Sequence, residues 1–282
     1  MMSMSAFPLS ETDRSGICRR QQQFGPLDVI EMDLRLLLAK AFRKAAQRLD
    51  HRAPPAPTAS SLTLRHCPIC GYQGPFAPWG KTPRPDAMCP GCSSLERHRL
   101  FKLAFDHAKP LSAGAALLHF APEPAVTRFV QPLCSKYVTT DFLRDDVDMR
   151  LNIEALDLPD KSFDALICSH VLEHVDDKAA LGELFRILKP GGVALIAVPM
   201  VEGWDISYED PAITDQRDRL VHFGQEDHVR RYGRDFRDRV RRAGFLLTEF
   251  VRDGADSVRY SIIPGERVFI ATKPRNIPRN IH

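Results

Sequence analysis

The sequence is short of the features that mark several protein classes. No apolar run approaches the roughly 20 residues of a membrane-spanning helix. The longest is Val193–Val201, with Pro199 inside it, so no membrane span is expected. The opening MMSMSAFPLSETDRSGICRR lacks a basic stretch followed by an apolar block. A secretory signal is therefore not expected, and a cytoplasmic location is. Net charge is only +3, which argues against a generic nucleic-acid coat. Internal repeats are missing too. What is present is ordinary globular composition, 44% hydrophobic and 27% charged over 282 residues. That excludes wholesale disorder and suffices for about two domains.

The small net charge is a sum of opposites. Residues 1–63 carry +3, 64–110 carry +4, 111–212 carry −9 and 213–282 carry +5. Such asymmetry separates segments with different jobs. Residues 1–26 show no apolar period and read as a tail. In 27–50, Val29, Leu34, Leu37, Leu38, Ala41, Phe42, Ala45 and Leu49 recur at three- and four-residue steps. An amphipathic helix is expected there, docked on this chain or, in a homodimer, on a second copy. The prolines of APPAPTAS make 51–62 a linker.

Four of the seven cysteines fall within 63–100, as Cys67-x2-Cys70 and Cys89-x2-Cys92 separated by 18 residues. This is zinc-ribbon spacing: each CxxC turn presents two thiolates, and two turns complete a tetrahedral structural Zn2+ site. Gly71 and Gly91 fall where the knuckles need permissive backbone. The Gly- and Pro-rich stretch between has little prospect of a core without such a staple. Arg65, Lys81, Arg84, Arg97 and Arg99 surround the module, with Tyr72, Phe76 and Trp79.

Beyond residue 110, short apolar runs alternate with helical patterns. The runs are Ala115–Ala121, Tyr137–Phe142, Met149–Ile153, Phe163–Ser169, Val193–Pro199, Phe245–Val251 and Arg267–Thr272. Helical patterns fit Pro124–Cys134, Lys178–Leu188 and Asp227–Ala243. This alternation predicts a largely parallel α/β sheet. The last two runs have no helical pattern between them and are expected to form an antiparallel edge hairpin.

The blocks LDLPDKSFDALICSHVLEH and LFRILKPGGVALIAVP follow two strands that end at His119-Phe120-Ala121 and at Asp141. In this order they resemble a class I S-adenosylmethionine-dependent methyltransferase over about 112–273. The resemblance implies a Rossmann-like, mostly parallel seven-stranded sheet over 101–273, followed by a tail at 274–282. It implies S-adenosylmethionine as cofactor. Asp141, at a strand end, suits two ribose hydroxyls. Asn152 and Ile153 take the positions that contact adenine. Ser169 and His170 end the fourth strand, where open α/β sheets place ligands. The first turn departs from the family. It reads His119-Phe120-Ala121-Pro122-Glu123-Pro124, with no glycine, as in uncharacterised bacterial members with a glycine-poor HFAPE turn. Ala121 still permits close approach, the prolines remove two N–H donors, and Glu123 could accept from the cofactor's ammonium group.

Methyl transfer needs alignment and exclusion of water, and a base only when the acceptor carries a proton of high pKa. The base candidates are His170, beside Glu173 and His174, and His222. His222 lies in a segment from Glu202 to about Glu226, with Trp204, Asp205, Tyr208 and Phe223, expected to cover the acceptor. The basic stretch DHVRRYGRDFRDRVRRAGF reads as a solvated face, with pairs Asp235–Arg239 and Asp238–Arg242. A small-molecule or sugar-like acceptor is the leading expectation. An RNA methyltransferase using the basic ribbon, and an inactive zinc-stapled scaffold, stand beside it.

Overall fold

The two CxxC turns shape the first part of the computed structural model, which describes residues 64–112 and 114–276. The tail 1–26, the helix 27–50 with its dimer contact, the linker 51–62 and residues 277–282 lie outside the described residues. Two antiparallel hairpins open the described chain. They are β1 (Arg65–His66) with β2 (Gln73–Gly74), and β3 (Ala77–Trp79) with β4 (Arg84–Met88). The knuckles repeat one geometry. Gly71 N donates to Cys67 O at 2.9 Å and Ser93 N to Cys89 O at 2.8 Å, with φ +76° at Gly71 and +58° at Ser93. The left-handed residue of the second knuckle is therefore Ser93, not Gly91. Gly91 is needed for space, because a Cβ there would stand 3.2 Å from Cys70 Sγ.

Helix α1 (Glu96–Ala108) leads from the ribbon. Then come β5 (Ala116–Phe120), α2 (Pro124–Val130), β6 (Lys136–Asp141), β7 (Met149–Arg150), β8 (Phe163–Ser169), α3 (Asp177–Ile187) and β9 (Leu188–Ala197). The rest is β10 (Tyr208–Glu209), α4 (Gln216–Phe223), β11 (Arg230–Arg231), α5 (Phe236–Arg242), β12 (Leu246–Val251), α6 (Gly254–Tyr260) and β13 (Arg267–Thr272). Seven strands form one sheet in the order β12-β13-β9-β8-β5-β6-β7. Only β13 runs opposite to the other six strands.

The central strands are apolar on both faces because helices cover both. Leu118, Phe120, Leu166, Cys168, Ala194 and Ile196 pack with Leu181 and Leu184 of α3 and Phe236 of α5. Their alternates Leu117, Ala165, Ile167 and Leu195 pack with Leu100, Phe101 and Phe105 of α1 and Phe129 of α2. The period-two alternation thus sorts the core into two layers around a doubly wound sheet.

Two expected elements differ. The helix expected over Asp227–Ala243 forms only from Phe236. Arg230 and Arg231 instead pair with Glu209 and Tyr208, and Gly233 lies against the chain at 204–206, where a Cβ would sit 2.7 Å from the Ile206 carbonyl. The edge strands β12 and β13 do pair antiparallel, but α6 connects them. Its seven residues are too few to show an apolar period. Among the described residues, no helix is long and apolar enough to cross a membrane.

Candidate active site

The strands end on a common rim, and the first cavity lies along the ends of β5, β6 and β8. It measures about 570 Å³. Phe120, Ala121, Asp141, Asn152, Ile153 and His170 all line it. Asp141 is held by its own turn, with Oδ1 accepting from Leu143 N at 2.8 Å and Arg144 N at 3.1 Å. Asn152 Oδ1 likewise accepts from Glu154 N at 3.0 Å. The buried Ile153 supplies an apolar wall. His119, expected in the same group, points to the other face of the sheet. Its ring is fully buried, and Nδ1 meets the Tyr137 hydroxyl at 2.7 Å. Burial lowers its pKa to about 4, so the ring is neutral. One residue of strand phase separates His119 from Phe120 and decides which of them reaches the cavity.

The glycine-free first turn still takes a glycine-like backbone. Ala121 has φ +47°, and its N donates to Thr140 O at 2.8 Å. Glu123 does not extend freely toward a ligand. Its Oε1 accepts from His98 Nε2 at 2.8 Å and Arg97 Nε at 3.0 Å, and also from Arg97 Nη2. Burial pushes this carboxyl up, but the His98 hydrogen bond and the charges of His98 and Arg97 outweigh burial and bring it down to about 2. A depressed acid stabilises the fold above its unfolded pKa, and that stability is lost as pH falls through the folded value. The drop from the ordinary 4.5 to about 2 corresponds to about 3 kcal/mol, roughly 2 of which are lost by pH 3. Urea unfolding between pH 5 and pH 3 should therefore show a steeper loss in the wild-type chain than in Glu123→Gln. Equal slopes would remove the ion pair from the stability of this turn.

A second cavity, about 400 Å³, lies beside the first across the ends of β8, β9 and β13. Ser169, His170, Pro199, Met200, Ile263 and Glu266 are among its lining residues. A third, about 530 Å³, adds Glu123, Glu173 and His228, and shares Arg97 with the second and His174 with the first. His170 lines all three cavities. It sits in the left-handed region at φ +55°, its N donates to Ala197 O at 2.8 Å, and its Nδ1 faces Glu173 Oε1 at 3.2 Å. Glu266 was not visible from sequence. It follows Pro264-Gly265 in the connector before β13 and has a buried Oε2 without a hydrogen-bond partner. Burial raises its pKa above the ordinary carboxylate range.

His222 is not brought to these cavities. It lies exposed on α4, with Nδ1 on the Tyr208 hydroxyl at 2.6 Å. The helix phase turns Phe223 inward and leaves its neighbour outside. The expected covering segment touches the rim only near its ends, through Glu202 and Gln225, with Asp227 and His228 just beyond it.

The four ribbon cysteines converge. Their sulfurs lie within 4.8 Å of one another, with Cys67–Cys92 and Cys70–Cys89 both at 3.6 Å, and all four are free thiols. Zn–S bonds of about 2.3 Å in a tetrahedron place sulfurs about 3.8 Å apart, so the set fits a zinc ion. The arginines of the ribbon are already engaged, while Lys81 is exposed. Arg65 pairs with Asp86 at 2.8 Å and Arg84 with Glu96 at 2.7 Å. Arg99 is fully buried and donates to the carbonyls of Ala87, Ser94, Tyr260 and Ser261 at 2.6–3.0 Å. On α5, Asp235 meets Arg239 at 3.2 Å as expected, but Asp238 meets Arg241 at 3.0 Å rather than Arg242. Arg237 and Arg239 are bound by Glu202, Glu249, Asp177 and Glu209.

Residues 127–196 match the family model described as a methyltransferase domain. The fold is that of a class I methyltransferase. Among curated relatives, the chain is similar to a probable S-adenosylmethionine-dependent methyltransferase of Mycolicibacterium smegmatis. The two are 46% identical over 55 residues, 19% of this chain and 21% of the relative. It is also similar to the ubiquinone/menaquinone biosynthesis C-methyltransferase UbiE of Pasteurella multocida, 49% identical over 49 residues, 17% and 18% of the two chains. The chain thus spans about a fifth of the length of these methyltransferase relatives. Among solved structures it is similar to the YcgJ protein of Bacillus subtilis. The match has 15% identity and a TM-score of 0.45, over 64% of this chain and 100% of that one.

Proposed function

We propose that this chain transfers a methyl group from S-adenosylmethionine to a small-molecule or sugar-like acceptor. One observation carries the reading. Phe120, Ala121, Asp141, Asn152, Ile153 and His170 come from separate strand ends and line one cavity. In this arrangement Asp141 takes the ribose hydroxyls, and Asn152 and Ile153 take the edge and face of the adenine. The backbone at Phe120–Ala121 approaches the methionine part. Arg97, which balances Glu123, lines the neighbouring third cavity together with Ala121 and is the cation offered to the cofactor's carboxylate. The cofactor supplies an electrophilic methyl on a sulfonium. The residues around it align the acceptor in the second cavity and keep water out. His170 and Glu266 stand there to accept a proton from the acceptor's nucleophilic atom. The ribbon cysteines hold a structural zinc, with no part in the methyl transfer step.

The RNA reading draws less support, because Arg65, Arg84, Arg97 and Arg99 of the ribbon region are all engaged within the fold. Calorimetric titration with S-adenosylhomocysteine tests the main proposal. The expected result is one site per chain at micromolar affinity. No heat at millimolar ligand would overturn it and favour a zinc-stapled scaffold.

A further inference from the structure

After β8 the chain makes a 3-10 turn, Leu172–His174, that points two ionisable side chains at the loop before β11. Glu173 is 1% exposed. Its Oε1 faces His170 Nδ1 at 3.2 Å, while its Oε2 is buried without a hydrogen-bond partner. His228 is 4% exposed, and its ring packs edge-on against His174, with centroids 4.7 Å apart. His174 Nδ1 faces Asp227 O at 3.3 Å and Asp227 Oδ2 at 3.4 Å. The two segments are fixed to each other, because Val229 N donates to Glu173 O at 2.9 Å. One ligand atom from each of Glu173, His174 and His228 lies within 4.8 Å of the other two.

We propose that Glu173, His174 and His228 form a second metal site, for a borderline divalent ion such as zinc, separate from the four cysteines. An orphaned carboxylate oxygen in the interior costs several kcal/mol unless a cation or donor meets it. Here two imidazoles each bring a ring nitrogen within 4.8 Å of a Glu173 carboxylate oxygen. Two histidines and one carboxylate suit zinc and its first-row neighbours. At metal–ligand distances of about 2.0–2.2 Å, ligand atoms stand roughly 3–3.5 Å apart, so small side-chain rotations close the set. Asp227 beside His174 acts as the outer partner that orients a ligating imidazole. Three protein ligands leave coordination positions open, as in catalytic rather than structural sites. The three side chains line the cavity that also holds Ser169, His170 and Glu266, so an oxygen-bearing molecule bound there can reach the ion. That last role rests on the methyl-transfer proposal; the metal site itself does not.

Zinc stoichiometry of the full chain, equilibrated in buffered zinc and assayed by elemental analysis, tests this. The readout is the difference between proteins, so it does not depend on how much the cysteines hold. His228→Ala and Glu173→Gln should each bind one ion fewer per chain than the wild type. His228→Ala sits in a loop and should keep a cooperative melt, so the test survives if the buried Glu173→Gln fails to fold. A His228→Ala protein with the wild-type zinc content would overturn the site. Binding of S-adenosylhomocysteine, measured on the same samples, reports separately on the methyltransferase reading.

Discussion

Replacing Asp141 by alanine is expected to weaken S-adenosylhomocysteine binding by about a hundredfold. Two charge-assisted hydrogen bonds from a carboxylate to neighbouring ribose hydroxyls together contribute roughly 3 kcal/mol, and 1.4 kcal/mol is tenfold in affinity. The carboxylate has a second duty, because Oδ1 also caps the turn at Leu143 and Arg144. Asp141→Asn separates the two. It keeps an acceptor for the turn and loses the charge, so its affinity should fall by only about tenfold. Calorimetry on both variants checks this, with a melting curve to show that the turn survives. Wild-type affinity in Asp141→Ala would overturn the assignment of the cavity.

Removal of the zinc proposed for the four ribbon cysteines should have the largest effect on stability. Structural zinc contributes apparent free energies of about 10–16 kcal/mol in small zinc-folded peptides, comparable with the whole stability of a typical domain. The apolar interior of the ribbon is slight, with Phe76 packed on Cys67 and Cys89, and Ala77, Met88 and Leu95 beside it. The damage should spread. Arg99 holds carbonyls of the ribbon and of the α6 end together, and Ser261 Oγ donates to Asp86 O at 2.6 Å. The next residues of that connector, Ile263 to Glu266, wall the second cavity. Chelation, or Cys67→Ser with Cys89→Ser, should therefore remove the ion and lower the melting temperature by at least about 10 °C, at roughly 2–4 °C per kcal/mol for a chain of this size. Metal loss with an unchanged melt would show that the cysteines do not staple the fold.

Sequence carried the sheet well where burial left little choice. Phe163–Ser169 and Arg267–Thr272 have the boundaries expected from their apolar runs, because strands covered on both sides tolerate few polar residues. That Asp141 stands at the rim was legible from its strand end, and the resemblance placed Asn152 and Ile153 beside it; all three line the first cavity. What escaped depends on the phase of short elements and on long-range approach. His222 and His228 are six positions apart, the first on α4 and the second in the loop after it, and only folding shows that the second is buried. Helix α6 is too short to show an apolar period. Glu266 gave no signal, since a single carboxylate after Pro-Gly reads as a turn. Glu123 looked free to meet a ligand because Arg97 and His98 are 26 and 25 residues away in sequence.

The segment between β9 and α5 has joined ends. Val201 N donates to Tyr232 O at 2.8 Å, and Tyr208 and Glu209 pair with Arg231 and Arg230 just beyond. Its far part carries α4, where Leu220 and Val221 are 48% and 78% exposed. A loop clamped at its stem transmits little of what happens at its tip to the sheet. Residues 211–224 are thus a natural cassette. They can be lengthened, shortened or replaced, and a designer can graft there, while the strand ends and the histidines at the stem keep their geometry.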